Sequence, residues 1–328
     1  MVAPNVYAAN LQWVGYALET TYGTPKATPD TFLPADSPTY KHVPQLLTDT
    51  ALRGSMAGEF NQLNGLFYDS LQTKSNLYLD SCYPILRQIL GLPDVLTGAS
   101  DPYTHKTSLQ SANGGQPAGT TLFWNDAAGK VMQIPGAISQ DVKVDLKDGA
   151  LGNLDVTWLG MPATAITPPT LTIPLTQSIP SWNVVTTLGG VGSSAYSEIS
   201  LDIKRATEMI PTINGSQAPA GIFGGPLTIS GTLTALYQGF AADAHVQDQL
   251  ANTQPILAIV ASPVGDAIHS VKFQMSKIVF DDVAVSGTNK WMEVRATFKA
   301  LANAADVAGG GNVSPMMVTA VNAIATAL

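Results

Sequence analysis

The residues able to do chemistry in this chain are few and scattered. The four histidines, His42, His105, His245 and His269, stand far apart, with no i,i+4 pair and no H-E-x-x-H motif to set two imidazoles on one helical face for a metal. Cys82 is the single cysteine, which excludes an internal disulfide framework and a multi-cysteine metal site. It stands near an expected helix start, where a thiolate would be favoured, but with no histidine near it in sequence it reads as a packing residue. A nucleophilic serine belongs on a strand-to-helix elbow of the G-x-S-x-G kind; Gly190-Val191-Gly192-Ser193-Ser194 is only a Gly/Ser loop. Asp281-Asp282 would have to share a face to work as paired carboxylates. Neighbours on a strand point to opposite faces, so this pair reads as part of a solvated loop. Neither a G-x-x-x-x-G-K-S/T loop nor a G-x-G-x-x-G after a strand offers a phosphate cradle. The expected catalytic, cofactor-binding and metal-binding sets are therefore empty. The chain reads as a non-enzyme that needs no cofactor.

The composition sets what must be built instead. The 328 residues include only 12% charged side chains, against a usual value of about 25%, while 45% are apolar. The net charge of −8 argues against a surface that grips nucleic acid or an anionic membrane, since both need clustered cations. The N-terminus shows no basic-then-apolar leader pattern. The uncharged stretch from Val156 to Ser197 is interrupted by Pro162, Pro168, Pro169, Pro174 and Pro180, so it cannot cross a membrane as a helix. A polar surface of Thr, Ser, Asn and Gln costs less to bury against partners than one of Lys and Glu. The chain reads as a subunit that buries much of its surface in an assembly.

Strand signals dominate. Val142–Leu146, Ser197–Lys204, Val271–Met275 and Met292–Phe298 alternate apolar and polar residues at period two, the pattern of half-buried antiparallel strands. Two short helices are expected. One is Tyr83–Leu90, with Ser81 as N-cap and Gly91 as stop. The other is about Phe240–Ala251, with Ala244 and Leu250 inward and Asp243 outward. The fold class is thus mainly β: packed antiparallel sheets flanked by one short helix per unit.

The pattern occurs twice. Gly65-Leu66-Phe67, then Leu71 and Leu77, returns at constant spacing as Gly221-Ile222-Phe223, then Leu227 and Leu233. These residues define an expected repeat core. Ala137-Ile138 with Val142–Val144 is matched to Ala267-Ile268 with Val271–Phe273, and Thr157-Trp158 to Thr297-Phe298. The expected organisation is a first unit over 1–160, with an extra loop excursion at 93–129, a Pro-rich linker over 161–180, a second unit over 181–302 and a C-terminal arm over 303–328.

The residues from Gly15 to Pro25 (Gly-Tyr-Ala-Leu-Glu-Thr-Thr-Tyr-Gly-Thr-Pro) resemble the start of tail tube proteins of long-tailed, siphovirus-type bacteriophages. So do Glu198–Arg205, Ile213–Pro219 and Gly225–Thr234. The resemblance covers about Gly15 to Ala302 and implies tube modules whose sheets join edge to edge in rings of six, stacked into a conduit for DNA. Two tandem modules per chain then imply three chains per pseudo-sixfold ring, made in the host cytoplasm and located in the virion tail. The implied partners are further copies of the chain, a tail terminator, a tape measure protein and a distal tail protein. Viral DNA passes without stable binding, through a lumen face expected to be poor in Lys and Arg. In that family a long hairpin reaches the adjacent ring. The matching stretches here are about Leu47–Asn64 and Thr207–Ala220, giving Leu52, Arg53, Met56, Glu59, Phe60, Glu208, Ile210, Ile213 and Asn214 as inter-ring contacts. Two alternatives stay open: a secreted β-sandwich binding module, and a single-ring tail terminator or hub protein.

Overall fold

The computed structural model describes residues 6–51, 53–54, 56–193, 195–287, 290–309 and 312–327. The first half runs β1 (Val14–Leu18), β2 (Thr31–Leu33), β3 (Thr39–Asp49), β4 (Asn61–Asn76), α1 (Leu79–Leu90), β5 (Val95–Thr97), β6 (Tyr103–Ser108), β7 (Thr120–Asn125), β8 (Val131–Lys147), β9 (Asn153–Gly160) and β10 (Thr164–Ile166). The second half runs β11 (Val184–Leu188), β12 (Val191–Ser193), β13 (Tyr196–Ile210), β14 (Gly221–Leu236), α2 (Ala244–Ala251), β15 (Leu257–Ala261), β16 (Ser270–Met275), β17 (Ile278–Gly287), β18 (Met292–Ala300) and β19 (Met317–Asn322).

All strand pairs are antiparallel, and the fold is mainly β. The backbone of the molecule is one continuous ribbon of eight strands in the order β3-β4-β9-β8-β13-β14-β18-β17. The period-two pattern explains its two faces. Val142, Val144, Leu154, Val156, Trp158, Leu201, Ile203, Ile229, Leu233, Ala296 and Phe298 all point into one buried core. The residues between them are polar. A second layer covers the apolar face. The first part of β8 leaves the ribbon to pair β7 and β10, with β1 and β2 beyond β7. Beside it lies the sheet β12-β11-β15-β16-β19-β6-β5.

The pairing order β3-β4-β9-β8 recurs as β13-β14-β18-β17, and so do its irregularities. Gln45 of β3 faces the bulged pair Gly65-Leu66 of β4, and Ala206 of β13 faces the bulged pair Gly225-Pro226 of β14. Gln140 is bulged in β8 against β9, and Asp281 in β17 against β18. Bulges fix register, and these give the true correspondence. Phe67 corresponds to Leu227 and Leu71 to Gly231, four residues on from the match made by identity. The triplet Gly-Leu/Ile-Phe therefore does not mark equivalent positions. Leu71, Leu77 and Leu233 are buried and Leu227 half-buried, but Phe223 is 46% exposed and is not a core residue. Val142–Val144 corresponds to Val283–Val285, not to Val271–Phe273. The single strand β8 matches β16 and β17 together, broken at Ser276-Lys277. Trp158 and Phe298 do correspond.

Several boundaries also shift. The excursion is shorter than 93–129, because β7 holds the place that β15 holds in the second half. β5 and β6 are the extra piece, and they extend the second-half sheet through β19. Residues 164–166 of the Pro-rich stretch form β10 on β8. Helix α1 starts at Leu79, before Pro84, with Tyr78 rather than Ser81 at its N-cap position. Burial of Leu79 and Cys82 holds that first turn. Gly91 ends α1 with φ 88°, a left-handed conformation that favours glycine. Helix α2 is only Ala244–Ala251. Asp243 is buried and caps it, accepting from the N–H groups of His245 and Val246, so His245 and Val246 point inward while Leu250 is exposed.

Candidate assembly surfaces

The ionisable groups are spread through the fold as local clasps. Each histidine meets an aspartate through Nδ1: His42 with Asp69 at 2.8 Å, His105 with Asp94 at 2.6 Å, His245 with Asp243 at 3.0 Å and His269 with Asp266 at 2.6 Å. No three of the described His, Cys, Asp and Glu residues gather as a metal site. Cys82 is fully buried, and burial pushes its thiol up to about 12, which makes it inert. Asp281 and Asp282 lie within β17 rather than in a loop, and both are exposed.

The clasp at His269 ties loop 263–269 to the turn before β6, because its Nε2 also sits 2.9 Å from Asp101 Oδ1. The bonds to Asp101 and then Asp266 raise the imidazole pKa above its usual 6.5. Backbone N–H groups of His269 and Ile268 hold Asp266 down to about 2. A histidine raised by folding contributes stability that is full below its unfolded pKa and is lost as the pH rises through the folded value. Asp266 contributes above its ordinary range and loses its share only as the pH falls through about 2. Hydrogen exchange in 98–102 and 263–269, corrected for intrinsic rates, is therefore expected to be faster at about pH 8.5 than at about pH 6. His269→Asn should abolish that difference.

Three surfaces are built for contact instead. The first is the polar face of the eight-stranded ribbon. Four of its cations are matched by acids: Lys74 with Asp155 at 3.6 Å, Lys143 with Asp145 at 2.8 Å, Lys204 with Asp141 at 4.0 Å and Lys299 with Asp281 at 2.6 Å, while Lys41, Lys147 and Arg295 on the same face make no salt bridge among the described residues. The hydrogen bond to Asp145 raises the pKa of Lys143, so that cation is held charged. Exposed pairs of this kind add only ~0–1 kcal/mol each to stability. Their larger effect is to cancel one another's field. This face is mixed in sign.

The second surface is the pair of ribbon ends. Among the described residues β3 pairs only with β4, and β17 only with β18. Unpaired edges of this length invite another strand. The third is formed by the hairpin ends, residues 50–60 between β3 and β4 and residues 211–220 between β13 and β14. The second lies against the stem of the first hairpin, β4: Phe67 N–H donates to Gln217 O at 3.0 Å, and Gln217 Nε2 donates to Asn64 O at 2.8 Å. Met56 and Ile213 are fully exposed, Ile210 is 42% exposed, and Glu59, Glu208 and Asn214 are also exposed. Arg53 pairs with Asp49 and lies over the Phe60 ring at 5.0 Å. Leu52 lies outside the described residues. Sequence inspection missed the neighbours Leu46, Leu47 and Leu63, which are 50–60% exposed and widen the apolar surface; an apolar residue on a strand's outer face has no signal of its own.

The family model described as "phage tail tube protein" matches residues 10–314 of the chain. A search among curated proteins finds no match. No helix among the described residues is long and apolar enough to cross a membrane.

Proposed function

Because the chain belongs to the phage tail tube protein family, a structural family of the virion tail, we propose that three copies close into a pseudo-sixfold ring and that rings stack into the tube through which DNA is ejected. One observation carries the ring. The chain already contains one complete module-to-module joint, β8 against β13, with pairs from Lys147↔Glu198 to Asp141↔Lys204. β17 corresponds to β8, and β3 to β13. Each free end of the ribbon is therefore half of a joint whose other half lies at the opposite end. A heterologous contact of this kind closes a ring when its rotation allows.

In such a ring the polar face of the ribbon lines the lumen and the second layer faces out. Salt-bridged cations are poor counter-ions for phosphate, so mixed pairing lets DNA pass without the affinity that free lysines would add. The exposed ends at 50–60 and 211–220 project from one rim and fit contact with the next ring. Tail terminator, tape measure and distal tail proteins are the partners proposed at the ends and in the bore. The chain is made in the host cytoplasm before its incorporation into the tail. Negative-stain electron microscopy of the purified protein should show striated tubes with six lobes end-on, and mass measurement of a ring should give three chains. Six chains per ring would overturn the tandem-module reading. Rings that never stack would favour a terminator.

A further inference from the structure

Resting on the tube reading above, we propose that the seam between copies closes in the register of the internal joint, and that His42 with Asp69, which must lose water on closing, makes it a weaker version of that joint. The bulges supply the register. Counting from Ala206 and Gln140 on the internal joint, and from Gln45 and Asp281 on the free ends, converts three observed pairs into three between copies. Asp202↔Lys143 becomes Lys41↔Ala284, Ile203↔Val142 becomes His42↔Val283, and Leu201↔Val144 becomes Tyr40↔Val285.

The two seams then differ in one row of side chains. Inside the chain the row reads Ile229, Ile203, Val142, Val156, each 2% exposed or less. Across the outer seam it reads Asp69, His42, Val283, Ala296. Asp69 is buried, with its side chain 1% exposed, and is satisfied by His42 Nδ1 at 2.8 Å and by the N–H of Ala163. The His42 side chain is 49% exposed and its ring stands 4.6 Å from that of Phe67. Closing the seam strips water from this imidazole and sets it against the methyl groups of Val283. That desolvation has no equivalent at Ile203.

The difference has a physical reason. The internal joint forms as the chain folds and never faces water as a finished surface, so its row is fully apolar. The outer edge must stay soluble on a folded chain until another copy arrives. A charged or polar group pointing inward on an edge strand is a device that keeps such an edge from pairing indiscriminately. His42 and Asp69 supply it at the row nearest the bulge, while in the next row the Tyr40 ring, whose hydroxyl is engaged with Asp69, meets Val285 of the correct partner.

Two measurements on the full chain test this. Lys41→Cys with Ala284→Cys places thiols on directly opposed positions, where Cα atoms lie about 4.5–5.5 Å apart, within disulfide reach. Native Cys82 is buried and does not interfere. Oxidation of assembled protein should give covalent oligomers for this pair, and not for Lys41→Cys with Asp282→Cys or with Ser286→Cys. Preferential linkage of either slipped pair overturns the register. Separately, His42→Ile with Asp69→Asn restores an apolar residue at the seam and keeps an acceptor for the N–H of Ala163. It should lower the protein concentration at which tubes appear by about tenfold. An unchanged concentration overturns the brake. Val283→Thr leaves the His42–Asp69 pair of each chain intact and sets a hydroxyl opposite His42 in the closed seam, so it should also lower that concentration; it serves where the double variant does not fold, and an unchanged or raised concentration there overturns the brake. Wild-type protein that forms no rings or tubes at any concentration would instead overturn the tube reading itself.

Discussion

Val285→Glu should leave a folded chain that no longer assembles. In the lone molecule Val285 is 40% exposed at the β17 edge, so a carboxylate there keeps its water and the melting temperature should shift by less than about 2 °C. In the proposed ring Val285 takes the place that Val144 holds inside the chain, where exposure is 2%. It would face Tyr40 of the next copy, which offers no cation. Burying an unpaired carboxylate costs several kcal/mol. Assembly measured by sedimentation should therefore weaken by about a hundredfold or more. Ala284→Glu is the control. It lies on the polar face opposite Arg295, with Lys41 of the next copy across the seam, and should assemble at least as well as the wild type. Tubes formed by Val285→Glu at wild-type concentrations would show that this edge does not enter a buried seam.

The residues that made the fold legible in sequence are those whose pattern is local. Val142–Leu146, Ser197–Lys204, Val271–Met275 and Met292–Phe298 alternate because one face of each is buried, and all four lie in strands. The match of Trp158 to Phe298 was also visible, because both fill the core at the same point in the ribbon. The register of the recurring halves was not. Identity matched Phe67 to Phe223, yet the bulges at Gln45 and Ala206 align Phe67 with Leu227. The bulged pairs, Gly65-Leu66 and Gly225-Pro226, do carry the glycine and proline that favour bulges, but the repeated Gly-Leu/Ile-Phe triplet drew the match elsewhere. The correspondence of β8 with β16 plus β17 was hidden because a break at Ser276-Lys277 splits one of the two copies. The His42–Asp69 clasp joins residues on different strands and emerges only once β3 and β4 are paired. β19 sits between β16 and β6 although its partners are far away in sequence.

Arg205→Ala should destabilise the chain more than any surface change, because it opens the lock on the internal joint. Arg205 is 2% exposed, and burial pushes its guanidinium down to about 10, still a cation at neutral pH. It donates to carbonyl oxygens: Nε to Ile89 at 2.9 Å, Nη2 to Leu90 at 3.3 Å, and Nη1 to Gly115 at 3.4 Å and Gly225 at 3.5 Å. Ile89 and Leu90 end α1, where the helix leaves unsatisfied carbonyls and a partial negative charge. The side chain thus fastens β13 of the second half to the helix of the first. Removing it leaves the buried Ile89 carbonyl without this donor, takes one of two donors from Leu90, whose carbonyl keeps the Gln110 N–H, and opens a cavity, a loss of ~3–5 kcal/mol. At about 2–4 °C per kcal/mol the melting temperature should fall by at least about 6 °C. Hydrogen exchange at the end of α1 should speed up first. Arg205→Lys, with fewer donors, should fall between. Position 44 on β3, which corresponds to Arg205, is Pro44, with no donor to offer. The chain has therefore made its internal joint permanent with a buried cation and an apolar row. In the proposed ring the matching external joint would lack the cation and carry His42 in the row, which is what a subunit needs if it must fold alone and join others afterwards. A melting temperature unmoved by Arg205→Ala would remove the basis for that distinction.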